Sequence, residues 1–286
     1  MKKLIRTIEV GKKNKYNLPT REFTTADGKT TLYRFYYPCN DEVLCRVIDL
    51  VNKYNKEGLT FEELVEVCSY LWIVHHKNTK KSKSKLAGIK SISTSCLDNE
   101  GCIARMNDCT SICHFCYAGT QQDRQHGLQE HNIINGIILR NIAIPVEVFR
   151  LVLPFVNERF VRIESFGDVS NETQVKNYLS IMQAFPCTQF AAWTKVIFLW
   201  VKCFEQYSKP DNLSFVVSSC HVNLILSLPE KILKWIDHVF TVFDEKTVKK
   251  GKVKINCGGR SCMECIKAGK RCYFRGTDFQ IFEEKK

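Results

Sequence analysis

The chain has 286 residues, 44% of them apolar, and a formal net charge of +12. That apolar fraction is enough for a sizeable core, in one α/β barrel with an appendage or in two ordinary domains, while the absence of any apolar run of about eighteen residues excludes a spanning helix and a membrane partner. Fifteen cysteines exceed ordinary usage, and their odd number argues against a fully paired disulfide framework. Met1 to Arg6 leads into a charged run rather than the apolar core of a secretory signal. The expectation is a cytoplasmic protein whose clustered thiols bind metal.

Residues 1–88 read as an accessory module, mainly helical. Thr31 to Tyr37 is strand-like, and Pro38 and Asn40 end it. Leu44, Val47, Ile48, Val51 and Tyr54 recur at helical spacing. Beyond Gly58, Thr60 and Glu63 form a capping box for a second helix with the stripe Phe61, Leu64, Val65, Cys68, Leu71 and Trp72. Two such helices fit a DNA-reading helix-turn-helix, and more often a pair that packs on a neighbouring domain. His75-His76 falls at the helix end, where it caps carbonyls or faces solvent. Lys77, Lys80, Lys81, Lys83 and Lys85 form a linker up to Gly88. With Lys246, Lys249, Lys250, Lys252 and Lys254 this run is either solvated surface or a footprint for the phosphates of a nucleic acid.

Residues 89–250 alternate strands with helices. Ile89 to Ser93 is a strand, followed by a cysteine-rich loop, a long helix after Gly119 carrying Ile133, Ile134, Ile137 and Ile138, and a further helix after Pro145. Phe160 to Glu164, Gln189 to Trp193, Leu213 to Val217 and Val239 to Phe243 are strands; Val175, Leu179 and Met182 mark one intervening helix and Ile197 to Phe204 another. Repeated β then α predicts a parallel sheet, in a full or partial TIM-like barrel or an open sheet. Functional residues of such folds collect at the carboxyl ends of the strands. The cysteine loop, Ser165-Phe166-Gly167-Asp168, Thr194-Lys195 and Ser218-Ser219 are therefore expected in one mouth.

Within the loop, Cys109, Cys113 and Cys116 hold three thiolates around one site and supply no fourth. A structural zinc site closes with four protein ligands, whereas an iron–sulfur cubane held by three thiolates keeps one iron open. Cys96 and Cys102 either join a centre, bind substrate or are plain loop residues. His114 donates to a cluster sulfur or faces solvent, and Cys220-His221 is expected near the mouth. Ser165 to Asp168 also reads as a strand-to-helix turn, with Gly167 at positive φ and Ser170 or Asn171 capping the next helix. Cys39, Cys45, Cys68, Cys187 and Cys203 fall near apolar faces and read as small core residues. Residues 251–286 form a Cys-rich extension in which Cys257, Cys262, Cys265 and Cys272 offer four thiols to a second metal centre, zinc or an auxiliary iron–sulfur cluster. Arg260, Lys267, Lys270 and Arg271 offset its negative charge or touch phosphate.

The run from Cys109 to Cys116, with Phe115 before the last cysteine, resembles the signature of radical S-adenosylmethionine (SAM) enzymes. The resemblance implies a partial barrel whose Cys109, Cys113 and Cys116 ligate a 4Fe-4S cluster, with SAM chelated on the open iron and the backbone of Phe115 against its adenine. It implies further that Ser165, Gly167 and Asp168 stand where the family binds the SAM amino group, although one Gly and an Asp replace the usual Gly-Gly-Glu, and that Ser218 or Ser219 bonds the ribose or carboxylate. An electron donor such as flavodoxin or ferredoxin would be the partner. Cys116-Tyr117-Ala118, Val161 to Asp168, Phe190 to Lys195 and the C-terminal cysteines also look like the phage gene product 88 family. Three functions follow from these readings: a SAM-cleaving enzyme acting on an unknown substrate, for which the basic charge fits a phosphate-bearing molecule or a nucleic acid; a zinc-dependent nucleic-acid-binding protein; and a non-catalytic iron–sulfur electron carrier or sensor.

Overall fold

The computed structural model describes residues 6–10, 20–24, 30–34, 41–78, 84–155, 158–251, 253–258 and 261–285. Strands β1 (Arg6–Val10), β2 (Thr20–Thr24) and β3 (Thr30–Arg34) form a small antiparallel sheet of their own. β3 covers part of the strand read at Thr31 to Tyr37; the remainder, with Pro38, Cys39 and Asn40, lies outside the described residues, as do Lys80, Lys81, Lys83, Lys252 and Arg260.

Helix α1 (Asp41–Glu57) ends at Gly58, whose φ of +84° lets its N–H turn back to the Tyr54 carbonyl at 3.1 Å. Helix α2 (Phe61–Ser69) opens with the expected capping box, Glu63 N–H donating to Thr60 Oγ1 and Thr60 N–H to the Glu63 carboxylate. Val47, Leu50, Val51, Val67 and Cys68 are buried in one core with Ile134, Ile138 and Phe149. The helix pair is thus packed onto the α/β body. Cys45 is exposed, contrary to its reading as a core thiol; it precedes the buried Val47 by two residues, about 200° around the helix. Cys187, in the turn leading to a strand, is exposed as well.

The main sheet has seven strands. β4 (Ile73–His75) pairs antiparallel with β5 (Lys90–Ile92). From β5 onward, β6 (Phe160–Ile163), β7 (Gln189–Thr194), β8 (Leu213–Ser218), β9 (His238–Phe243) and β10 (Gln280–Glu284) each pair parallel with the strand before. Spatial order equals chain order. The β5–β6 crossover holds α3 (Glu100–Met106), a 3-10 turn at Ile112–Phe115, α4 (Tyr117–Arg124), α5 (His126–Asn141) and α6 (Val146–Val152). The helix read as starting after Gly119 is two helices, the first beginning at Tyr117 and the second following Gln125. Then come α7 (Glu172–Ala184), α8 (Ile197–Tyr207), α9 (Glu230–Leu233), α10 (Glu245–Lys249) and α11 (Cys262–Lys267). Among the described residues no helix is long and apolar enough to cross a membrane.

Strand alternation divides the sheet into two faces. Val161, Ile163, Phe190, Ala192, Leu213, Phe215, Val217 and Val239 join the helices in the main core. The alternate positions Phe160, Ala191, Val216, Phe240 and Ile281 pack instead with the C-terminal segment, including Ile266 and Tyr273. Arg162 and Trp193 share that second face by parity. A parallel sheet covered on both sides ordinarily reads as continuous apolar strands, so an arginine in β6 stands out.

Asn177 of α7 is buried and ties three groups of the α5–α6 segment together: its amide N–H2 donates to the carbonyls of Leu139 and Ile142, and its Oδ1 accepts from Ile144 N–H at 2.9 Å. An Asn177→Ala change leaves these groups buried without partners. Urea unfolding should show a loss on the order of 3 kcal/mol; a loss within error of zero contradicts this role.

Candidate functional site

The carboxyl ends of β5 to β9 and the C-terminal segment enclose a cavity of about 930 Å³. Parts of the four predicted loop groups reach it: Cys113, Phe115 and Cys116 after β5, Ser165 to Asp168 after β6, Thr194 and Lys195 at the end of β7, and Ser218 at the end of β8, with Ser219 outside the lining. All four C-terminal thiols, Cys257, Cys262, Cys265 and Cys272, line the same cavity. Two cysteine groups separated by some 140 residues of chain thus share one chamber. Cys109 is exposed and outside the lining, whereas Cys96 and Cys102 are buried within it. Among the described residues, no three His, Cys, Asp or Glu side chains are grouped closely enough to hold a metal ion.

The cysteine loop is pinned at two ends. Leu97, Cys102, Ile103, Met106, Ala118 and Phe166 form a satellite core beneath it. Ile112 N–H donates to the Cys220 carbonyl at 2.7 Å, as does Ser111 Oγ, so the loop after β8 holds the 3-10 turn that carries Cys113. His221 contacts the Thr110 carbonyl through Nδ1. His114 is exposed and its Nδ1 meets the Met106 carbonyl at 3.0 Å. Phe115 is exposed beneath the Lys285 ammonium, 3.7 Å from its ring centroid.

Cys116 is the N-cap of α4, with its sulfur at the positive end of that helix. A hydrogen bond from the Cys96 thiol holds Cys116 well below the ordinary thiol range; burial opposes this, and the N–H groups of Gly119 and Ala118 and the Lys195 ammonium reinforce it. Cys96 shifts the opposite way, and Gln122 Nε2 donates to its sulfur at 3.1 Å. Burial also pushes up Cys102, Cys220, Cys257 and Cys262, and Cys272 to about 12. Arg162 and Lys85 work against that rise in the C-terminal group. Arg271 sits at φ +65° and its Nη1 lies 3.8 Å from Cys265 Sγ.

The Ser165–Asp168 turn is built by two carboxylates. Glu164, buried at φ +54°, accepts from Thr94 N–H and Oγ1, Gln174 Nε2 and the Tyr178 hydroxyl, binding the β5 loop and α7 to the end of β6. Asp168 accepts from Thr194 Oγ1 at 2.6 Å, its neighbour Val169 N–H, Lys195 N–H and Arg105 Nη2. Its acceptor positions are therefore already occupied by the protein. Gly167 is not at positive φ as the turn reading expects. Its glycine requirement comes from proximity, since a Cβ there lies 2.5 Å from the Thr94 carbonyl oxygen. Asn171 caps α7 as read, accepting from Gln174 N–H. Ser218 Oγ faces only a long contact to the Ser219 carbonyl, and Ser219 Oγ is engaged with the backbone of His221.

Sequence reading missed His76, Arg162 and Trp193. His76 is not at a helix end: it follows β4, lines the cavity, and heads a chain of hydroxyls through Ser91, Ser165 and Ser93 with steps of 2.8, 2.9 and 2.9 Å. Burial, with help from Arg162 and His75, lowers His76 to about 4, so it is neutral near pH 7. A polar residue at every second position, Ser91, Ser93 and Arg162, was the available signal.

The wall formed by Cys113 and Cys116 suits a thiolate-bound centre, because it stabilises a thiolate and sets Lys195 and Arg105 beside it. The C-terminal thiols likewise have Arg162, Lys85 and Arg271 as cationic neighbours. In metal-free protein at pH 7, iodoacetamide should alkylate Cys116 faster than any other cysteine of the cavity, and Cys96→Ala should slow it several-fold; equal rates in peptide mapping contradict the Cys96 bond. Gly167→Ala should cost about 2 kcal/mol or more in denaturant unfolding, and an unchanged midpoint contradicts the close packing on Thr94.

No curated protein matches the chain. The Gene product 88 family matches residues 72–276, a span that takes in β4 to β9, both cysteine groups and all of the cavity lining except Glu283, Glu284 and Lys285. By that match over most of its length, the chain belongs to the Gene product 88 family.

Proposed function

We propose that the protein is an iron–sulfur enzyme of the radical SAM type, built on a partial (β/α) barrel. The observation that carries this reading is the meeting of the three-cysteine loop, the Ser165–Asp168 turn and Ser218 at one mouth of a parallel sheet wound in a single direction. Cys109, Cys113 and Cys116 would hold a 4Fe-4S cluster, with Cys109 moving in from its exposed turn. Such a cluster, bound and reduced, would supply one electron for the reductive cleavage of SAM and so the oxidising power for hydrogen abstraction. A flavodoxin or ferredoxin is the donor this reading calls for.

The chain's own residues have separate tasks. Lys195 and Arg105 offset thiolate charge on the first wall. Asp168, saturated by Arg105, Thr194 and Lys195, positions the β6 and β7 loops, which leaves Ser165, Gly167 and the backbone of the turn as the surface for a SAM amino group. Phe166 and Met106 pack beneath the loop and exclude water from that wall. Cys257, Cys262, Cys265 and Cys272 would hold the second centre, zinc or iron–sulfur, on the facing wall.

A zinc-dependent nucleic-acid-binding protein is the second reading, resting on the net charge of +12. It is weakened by the packing of α1 and α2 into the core and by the Lys249–Glu245 ion pair on α10. An iron–sulfur carrier or sensor differs from the enzyme only in lacking turnover. Protein purified without air, loaded with iron and sulfide and given SAM and dithionite should release 5′-deoxyadenosine, and Cys113→Ala should reduce release to background. A fully loaded wild type that releases no more than the variant overturns the enzyme reading.

A further inference from the structure

Three buried hydrogen-bond donors line the cavity with no acceptor to meet them. Arg162 is 7% exposed and belongs to the lining. Among the described residues its Nε has no partner, nor do the indole Nε1 of Trp193 and the hydroxyl of Tyr273, which line the same cavity. The guanidinium carbon lies 3.9 Å from the centre of the Trp193 ring. Trp193 in turn packs on Phe240 with centroids 4.5 Å apart. The Arg162 guanidinium lies close enough to the Tyr273 hydroxyl to oppose the rise that burial gives it, while the hydroxyl's own proton meets no acceptor among the described residues.

Four carboxylates line the cavity, and three of them are committed elsewhere, leaving Glu284, which makes no ion pair with Arg162 among the described residues. Glu164 is held by Thr94, Gln174 and Tyr178, Asp168 by Arg105, Thr194 and Lys195, and Glu283 by Lys85. Arg162 is in no ion pair among the described residues. A guanidinium keeps its charge at any working pH and presents a fork of donors shaped for two oxygens. Buried without an anion, such a group is strongly unfavourable.

We infer that the cavity binds the oxyanion of a small ligand, a carboxylate or a phosphate, on Arg162, with Trp193 Nε1 and the Tyr273 hydroxyl as flanking donors. Lys195, in the same lining, adds a second positive charge. The binding site stands on these donors and not on the enzyme reading above.

The test is isothermal titration of the full chain, as purified, with inorganic phosphate and separately with acetate, at matched ionic strength and with sodium chloride as control. Saturable binding of at least one is expected, and the tighter of the two identifies the anion type. Arg162→Met should weaken it about tenfold or more, as loss of a charged hydrogen bond requires, while Arg162→Lys retains part. Trp193→Phe, which keeps a ring and drops the N–H, should weaken it several-fold and guards against misfolding of the arginine variants. Absence of saturable binding by both anions, or equal affinity in Trp193→Phe and Arg162→Met, overturns the proposal. Loss of metal from Arg162→Met, with no anion bound by wild type, makes Arg162 the charge partner of the C-terminal thiols and overturns it too. Since 5′-deoxyadenosine is not read, failure here is distinct from failure of SAM cleavage.

Discussion

Six parallel strands whose order in space repeats their order in the chain deliver every carboxyl end to one edge, and the cavity is a consequence of that winding. Each crossover advances one place, so the segments after β5, β6, β7 and β8 become neighbours although they lie far apart in sequence. Glu164 converts this proximity into a fixed geometry. Its left-handed backbone breaks the strand alternation, and its carboxylate gathers Thr94 from the β5 loop and Gln174 and Tyr178 from α7. Burial raises the Glu164 pKa against the pull of those hydrogen bonds, the mark of a carboxylate retained for the contacts it organises.

The second consequence is electrostatic. Arg105, Arg162 and Lys195 line a chamber that also holds eight thiols, Cys96, Cys102, Cys113, Cys116, Cys257, Cys262, Cys265 and Cys272. Buried cations cost several kcal/mol each unless compensated, and buried thiols resist ionisation for the same reason. Around Cys113 and Cys116 the two deficits are relieved together once thiolates form, with Arg105 and Lys195 as the cations, and metal binding requires that they form. The β-face that carries Arg162 is covered by the C-terminal segment rather than by the crossover helices, which is how the second cysteine group comes to lie opposite the first.

Much of this frame was legible in the sequence. The apolar runs of β5 to β9, the capping box at Thr60 and Glu63, and the Asn171 cap are local signals, and local signals survive folding. The edge strands were not legible: β4 has three residues and β10 carries Glu283 and Glu284, so neither shows a clear pattern until its partner is known. Gly167 was recognised as special for the wrong reason, because closeness to the Thr94 carbonyl depends on a contact spanning some seventy residues. The mouth was foreseen from strand ends, but the convergence of both cysteine groups depends on β10 closing beside β9, which brings the intervening loop across the sheet. Spacing groups Cys109 with Cys113 and Cys116, whereas the fold leaves it exposed and outside the cavity lining.

In the proposed reading the cavity houses an iron–sulfur centre held by the loop after β5. Anomalous diffraction at the iron edge, from crystals of protein purified without air, locates the metal. The expected result is an iron peak bonded to Cys109, Cys113 and Cys116, with Cys109 turned inward from its exposed position. A fully metallated crystal with zinc alone at those thiols, or with iron bound only elsewhere, contradicts it.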